Sequence, residues 1–254
     1  MVVRREELPE RIVPDAIIEA LVEFRIEHED LPEAVVGRLL DLRLWQGFSH
    51  VRLPTADIPQ PIKDADPGLR YQPNIELRNP DGSRVAKIGG HVLSYHVNGP
   101  YPGWAVFRPE IESALREVVE RLKSAKFTRI GFRYINVFRP EEHHISGIAD
   151  TNFVLRLGDE HITRSVNVNY NHECGENHVV TMRVATPDMI ITNIAPGFSL
   201  MADIDVGSKP GMSITGFDEA MAWIDEAHTH EKEAFFGLLP KRVVQSLVAS
   251  GEES

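Results

Sequence analysis

Between Ala16 and Ile26 apolar and polar positions alternate: Ile18, Ala20, Val22, Phe24 and Ile26 are interleaved with Glu19, Leu21, Glu23 and Arg25. Period two, with β-branched and aromatic residues, predicts a strand with one buried and one largely charged face. That suits an antiparallel sheet. From Pro32 to Trp45 the period becomes helical. Val35, Val36, Leu39, Leu40 and Leu44 form a stripe, and Pro32 sits in the first turn, where its missing N–H costs little. Residues 50–69 carry prolines, aspartates and alternating polar groups, which predicts a loop or an irregular strand. Residues 74–97 read as one hairpin. Ile75 and Leu77 lead into the turn Asn79-Pro80-Asp81-Gly82, and the return strand, Arg84 to Val97, carries Gly89-Gly90 as a bulge or bend.

The clearest helix spans Pro109 to Ala125. Ile111, Leu115, Val118, Val119 and Leu122 fall on one stripe, with acidic residues at its start and Lys123 and Lys126 at its end. Phe127 to Phe138 follows as a strand with Ile130, Phe132, Tyr134 and Asn136 on one side. Further strands are expected at Ser165–Asn171, Val179–Ala185 and Phe198–Val206. Thr151–Leu157 fits neither period. Gly207 to Gly211 reads as a turn, and Phe217 to Leu247 as helix broken by Gly237 and Pro240. Strands that run together, rather than alternating with helices, predict an α+β fold. Its sheet is predominantly antiparallel and packed against two or three long helices. A single domain over 1–254 is expected. The loose repeat of strands-then-helix suggests two similar fused halves, 1–140 and 150–254, with a boundary at Pro140–Asp150.

Composition narrows the function classes. Lys and Arg number 27 against 38 Asp and Glu, for a net charge of −11. The densest basic clusters are the pairs Arg4-Arg5 and Lys241-Arg242, too short for the cationic face that phosphate neutralisation needs, so nucleic-acid binding is not expected. No run approaches the ~20 apolar residues of a membrane helix, and the charged N-terminus is not a signal peptide. A cytoplasmic location without membrane contact is the expectation. The lone cysteine, Cys174, cannot form an internal disulfide.

Three segments carry a resemblance. The first is Asp15-Ala-Ile-Ile-Glu-Ala-Leu-Val-Glu-Phe-Arg25. The second runs from Trp104 and Phe107 to Arg129-Ile-Gly-Phe-Arg-Tyr-Ile-Asn136. The third is Ile224-Asp225, then Ala227-His228 and Phe235. In this order and spacing the chain resembles a sporadically distributed bacterial family of hypothetical proteins of about this length. The Arg-Tyr-Ile-Asn strand is its most specific element. The resemblance implies a bacterial source and a shared fold, but no activity.

Candidate chemistry is sparse. Arg133, Tyr134 and Asn136 could orient a ligand or partner. The plainer alternative puts Tyr134 in the core, bonds Asn136 to a neighbouring turn and pairs Arg133 with Glu19 or Glu23. There are 11 histidines. His172, Cys174 and His178 could offer three zinc donors from one hairpin, though a single cysteine makes that pattern unspecific. Glu226 and His230 share a helix face at i,i+4, and so do His228 and Glu231 at i,i+3. No metalloprotease motif results, and an exposed charged face accounts for His230 and Glu231. His228 is the more interesting because the resemblance includes it. Asp203 and Asp205 share one strand face, as a cation site or as solvent surface. Trp104, Phe107, Tyr134 and Trp223 could line a cavity or fill a core. No Gly-x-Ser-x-Gly or phosphate loop occurs, and Cys174 lacks an evident activating neighbour.

With no cofactor motif, the reading favoured is a non-catalytic protein-interaction or regulatory module that binds a protein partner or a second copy of itself. A His/carboxylate hydrolase, metal-assisted or not, and a small-molecule binding domain are the alternatives. The balance leans away from an enzyme.

Overall fold

A computed structural model describes residues 8–122, 124–190 and 196–252; Arg4-Arg5 and Lys123 lie outside them. The elements are β1 (Ile17–Glu27), α1 (Pro32–Leu40), β2 (Ser49–Arg52), α2 (Gln60–Ala65), β3 (Ile75–Arg78), β4 (Arg84–Ile88), β5 (Val92–Asn98), α3 (Trp104–Arg121) and β6 (Lys126–Phe138). Next come α4 (Pro140–His143), β7 (Arg156–Leu157), β8 (Glu160–His161), β9 (Asn167–Cys174), β10 (His178–Ala185), β11 (Leu200–Ser208), α5 (Phe217–Leu238) and α6 (Lys241–Glu252). Nine strands form one sheet in the order β2-β3-β4-β5-β1-β6-β11-β10-β9, and β7-β8 is a separate small hairpin. The pairs β2-β3, β3-β4, β4-β5 and β10-β9 are antiparallel. The fold is α+β with a large antiparallel sheet, as the patterning predicts.

Several elements differ from expectation: α1, expected to run to Trp45, ends at Leu40, and Arg43–Trp45 is a separate 3-10 turn. The hairpin at 74–97 is a three-stranded meander. Gly89 and Gly90 turn the chain fully, because Gly89 N–H bonds the Val92 carbonyl at 2.9 Å. A Cβ on Gly89 would lie 2.8 Å from the Gln72 carbonyl oxygen, and one on Gly90 2.6 Å from Cβ of Pro32, so only glycines fit this turn. The central helix begins at Trp104 rather than Pro109, after Gly103 at φ 92°. Pro109 removes one hydrogen bond near the helix start, and the buried Phe107, Ile111 and Leu115 hold the helix across it. Residues 50–69 hold a short edge strand, a 3-10 turn (Pro54–Asp57) and α2, the last burying Lys63 on the Gln72 carbonyl and Asn74.

The chain forms two compact units. One comprises Ala20–Phe132 with Gly207–Glu226. There α3 buries Phe107, Ile111, Leu115 and Val118, and the Phe107 ring lies 6.2 Å from Tyr95 and 6.3 Å from Phe132. Arg84 meets Glu110 with two hydrogen bonds of 2.9 and 3.1 Å, and the Tyr95 hydroxyl donates to the same carboxylate at 3.0 Å. The other comprises the stretch to Glu19, Arg133–Val206 and the chain from Ala227. In it Phe138 stacks on Phe235 at 6.0 Å, and Asn152 donates to the carbonyls of Gly237 and Leu239 at 3.0 and 2.9 Å, closing the end of α5. The helix passes through Gly237, and the break comes at Leu239-Pro240. The stretch 140–150 lies inside this unit, with Ile145 and Ile148 in its core.

Candidate functional site

The most chemically loaded place in the second of these units lies on β9, β10 and the C-terminal part of α5. Gly175, at φ 58°, starts a three-residue turn that pairs Cys174 directly with His178. The register continues with His172 opposite Val180 and Tyr170 opposite Met182. Directly opposed residues project to the same side of an antiparallel pair. Period two along each strand therefore gathers Tyr170, His172, Cys174, His178, Val180 and Met182 on one face. All three donors foreseen for this hairpin stand together.

The helix α5 meets that face with His230, Glu233, Ala234, Gly237 and Leu238, a stripe at i, i+3, i+4, i+7 and i+8. A pocket of about 260 Å³ lies between them, lined by Tyr170, His172, Cys174, Met182, His230 and Glu233 among others. His178 and His230 are 1% and 4% exposed, and their ring centroids stand 5.0 Å apart. Nδ1 of His230 lies 3.1 Å from a carboxylate oxygen of Glu233. That contact places the ring proton on Nδ1 and the lone pair on Nε2. One nitrogen of His178 lies within 4.8 Å of a His230 nitrogen. Burial lowers the His172 pKa, and the nearby His230 lowers it further.

Helical amphipathicity assigns His230 and Glu231 to an exposed face. The structure corrects this, with Glu231 only 2% exposed and its pKa pushed up to about 8 by burial. Hydropathy alone places polar side chains outside, and their burial depends on which strands the helix covers. The one sequence signal pointing to His230 is its i,i+4 spacing from Glu226. Cys174, expected to lack a basic neighbour, faces His178.

The signature strand resolves differently. Arg133 forms a bidentate pair with Asp203, both contacts 2.6 Å. Its bidentate partner is therefore Asp203, while Glu19, one of the two carboxylates expected, acts on it through its charge. The Arg133 pKa is raised, first by this pair and then by the charges of Asp205 and Glu19. Asp203 is buried, which removes it from the solvent face expected of it. Tyr134 is buried edge-on to His228, with ring centroids 6.4 Å apart. Asn136 is buried and donates to the Ala202 carbonyl at 3.3 Å, a strand rather than a turn. Trp104 lies in the other unit, edge-on to Phe107 and Phe132. Phe107, Tyr134 and Trp223 are buried, and none of the four aromatics foreseen around a cavity lines the His230 pocket. Among the other histidines, His143 accepts the Arg139 N–H at 2.9 Å, and His161 meets Arg156 on the exposed β7-β8 hairpin.

No protein-family model matches the sequence, and no curated protein matches it. Among solved structures, the chain is similar to the duplicated taurocyamine kinase from Schistosoma mansoni with bound transition-state-analogue components, at a TM-score of 0.41 and 11% identity. The match covers 93% of this chain and 35% of the kinase chain. At that TM-score the likeness assigns neither fold family nor activity.

Proposed function

We propose that the protein is a non-catalytic interaction module that receives an extended segment of a protein partner along β9. One observation carries this reading: β9 ends the sheet, and all eight of its residues are exposed or half-exposed. Its sequence, Asn-Val-Asn-Tyr-Asn-His-Glu-Cys, contains no proline or lysine, the residues that most often blunt a free edge. Strand addition to such an edge supplies main-chain hydrogen bonds for affinity, while alternate side chains supply selectivity. Tyr170 is 49% exposed, and Leu157, on β7 ten residues before β9 in the sequence, is 73% exposed. The net charge of −11 favours a basic partner through faster encounter.

The test is native mass spectrometry of the protein drawn from its host at endogenous level, as wild type and as Leu157→Asp/Tyr170→Lys. A second polypeptide that accompanies the wild type and is lost from the double variant supports the reading. A lone monomer, or a complex indifferent to both substitutions, overturns it.

A further inference from the structure

We propose that the pocket between β9, β10 and α5 receives an arginine side chain from the partner's added strand. This rests on strand addition at β9 and goes beyond it, because it fixes one residue of the partner. A residue placed opposite His172 on an added strand projects to the same side as His172. On that side Tyr170, His172 and Cys174 line a pocket of about 260 Å³, and Glu233 lines it from the helix. All of these residues belong to one compact unit.

The lining suits a guanidinium. Glu233 supplies a carboxylate whose side chain is 29% exposed, and one of its oxygens meets Nδ1 of His230 at 3.1 Å. A carboxylate has about four acceptor positions, so that contact does not exhaust it. Nδ1 of His172 is buried and has no hydrogen-bond partner among the described residues. Burial lowers the pKa of this ring, which holds it neutral and leaves it able to accept a hydrogen bond. The Tyr170 and His172 rings stack with centroids 5.3 Å apart, a flat wall against which a planar cation packs well. Met182 and Leu238 add apolar surface for the arginine methylenes. Other side chains fit less well. A leucine would strip water from Glu233 without supplying a donor. A glutamate would meet a like charge there. A lysine brings the charge but not the flat, forked donor set. The net charge of −11 draws the same class of partner to the surface.

The experiment is a nuclear magnetic resonance titration of the full chain, labelled on its amides and on its methionine methyls. The β9 amides report strand pairing, and the Met182 methyl reports filling of the pocket. The probes are capped heptapeptides Thr-Val-Thr-Xaa-Thr-Val-Thr, with arginine, glutamine or leucine at the centre, and N-acetyl-arginine methylamide. The arginine peptide is expected to move both signals and to bind about tenfold tighter than the other two. Glu233→Gln, a partly exposed change that spares the core, should abolish that preference while the β9 amides still move. Equal affinity for all three peptides overturns the arginine pocket and leaves strand addition standing. A preference for leucine, or an arginine preference that survives Glu233→Gln, also overturns it. Saturable movement of Met182 by the methylamide, with β9 untouched by every peptide, keeps the arginine pocket and removes strand addition. No response to any probe overturns the proposal.

Discussion

Glu231 is a carboxyl group held where water barely reaches. It is 2% exposed, one oxygen has no hydrogen-bond partner, and the negative charge of Asp15 adds to the burial that raises its pKa to about 8. Lys232 acts in the opposite direction but does not cancel the effect. The consequence for stability has a definite sign. Below the ordinary carboxyl pKa, both folded and unfolded chains are protonated here and nothing is lost. As pH rises towards about 8, the unfolded chain releases a proton that the folded chain retains, and stability falls. Glu231→Gln is therefore expected to stabilise the protein by about 2 kcal/mol at pH 8, and by nothing measurable at pH 4. Chelator-treated protein unfolded in urea at the two pH values checks this, and equal effects at both would contradict it. The same residue shows why polar chemistry was only half legible. His172, Cys174 and His178 can be read as a group because one hairpin holds them. His230 and Glu231 look like solvent-facing helix, because hydrophobic periodicity carries no information about polar groups that a neighbouring strand covers.

At the scale of elements, period-two and helical patterns located β1, β6 and α5 closely, since each buries one clean face. The pattern failed where backbone contact decides. Arg84 to Val97 alternates well enough for one strand, and only the Gln72 carbonyl and Pro32 pressed against Gly89 and Gly90 reveal two. This gives opposite expectations for two glycines of the same unit. Gly89→Ala would drive a methyl group against the main chain at Gln72, which cannot yield cheaply, and should cost about 1–3 kcal/mol. Gly37, in the middle of α1, has nothing within 4 Å of a Cβ, and Gly37→Ala should instead stabilise by up to ~1 kcal/mol through helix propensity. Urea midpoints for both variants decide the matter. Gly89→Ala at or above wild-type stability would mean that the turn is not held by that contact.

Across the whole chain, the order of elements carries a symmetry that local patterns could not supply. β1, α1, the meander β3-β4-β5 and α3 are followed by β6, α4, the meander β9-β10-β11 and α5. Apart from the extra edge strand β2, the sheet order β3-β4-β5-β1-β6-β11-β10-β9 reads alike from both ends, with β1 and β6 side by side at the centre of those eight. Alternation identifies a strand but not its neighbours, so a loose strands-then-helix order is legible in the sequence while the arrangement of those strands is not. The position of β6 then bears on where the chain can be divided. A fragment of residues 150–254 keeps β9, β10, β11 and the terminal helices but loses Tyr134 from beside His228, Phe138 from beside Phe235 and Asn136 from the Ala202 carbonyl. It also leaves Asp203 buried and deprived of Arg133, whose side chain is itself 38% exposed, a loss of about 1–3 kcal/mol. Added to the lost aromatic and strand contacts, that deficit is a large fraction of the about 5–15 kcal/mol by which a domain is stable. The fragment is expected to show no cooperative thermal transition by circular dichroism, while the full chain does. A sharp melt from 150–254 alone would show that its own strands and helices suffice, and that β6 belongs to the first half only.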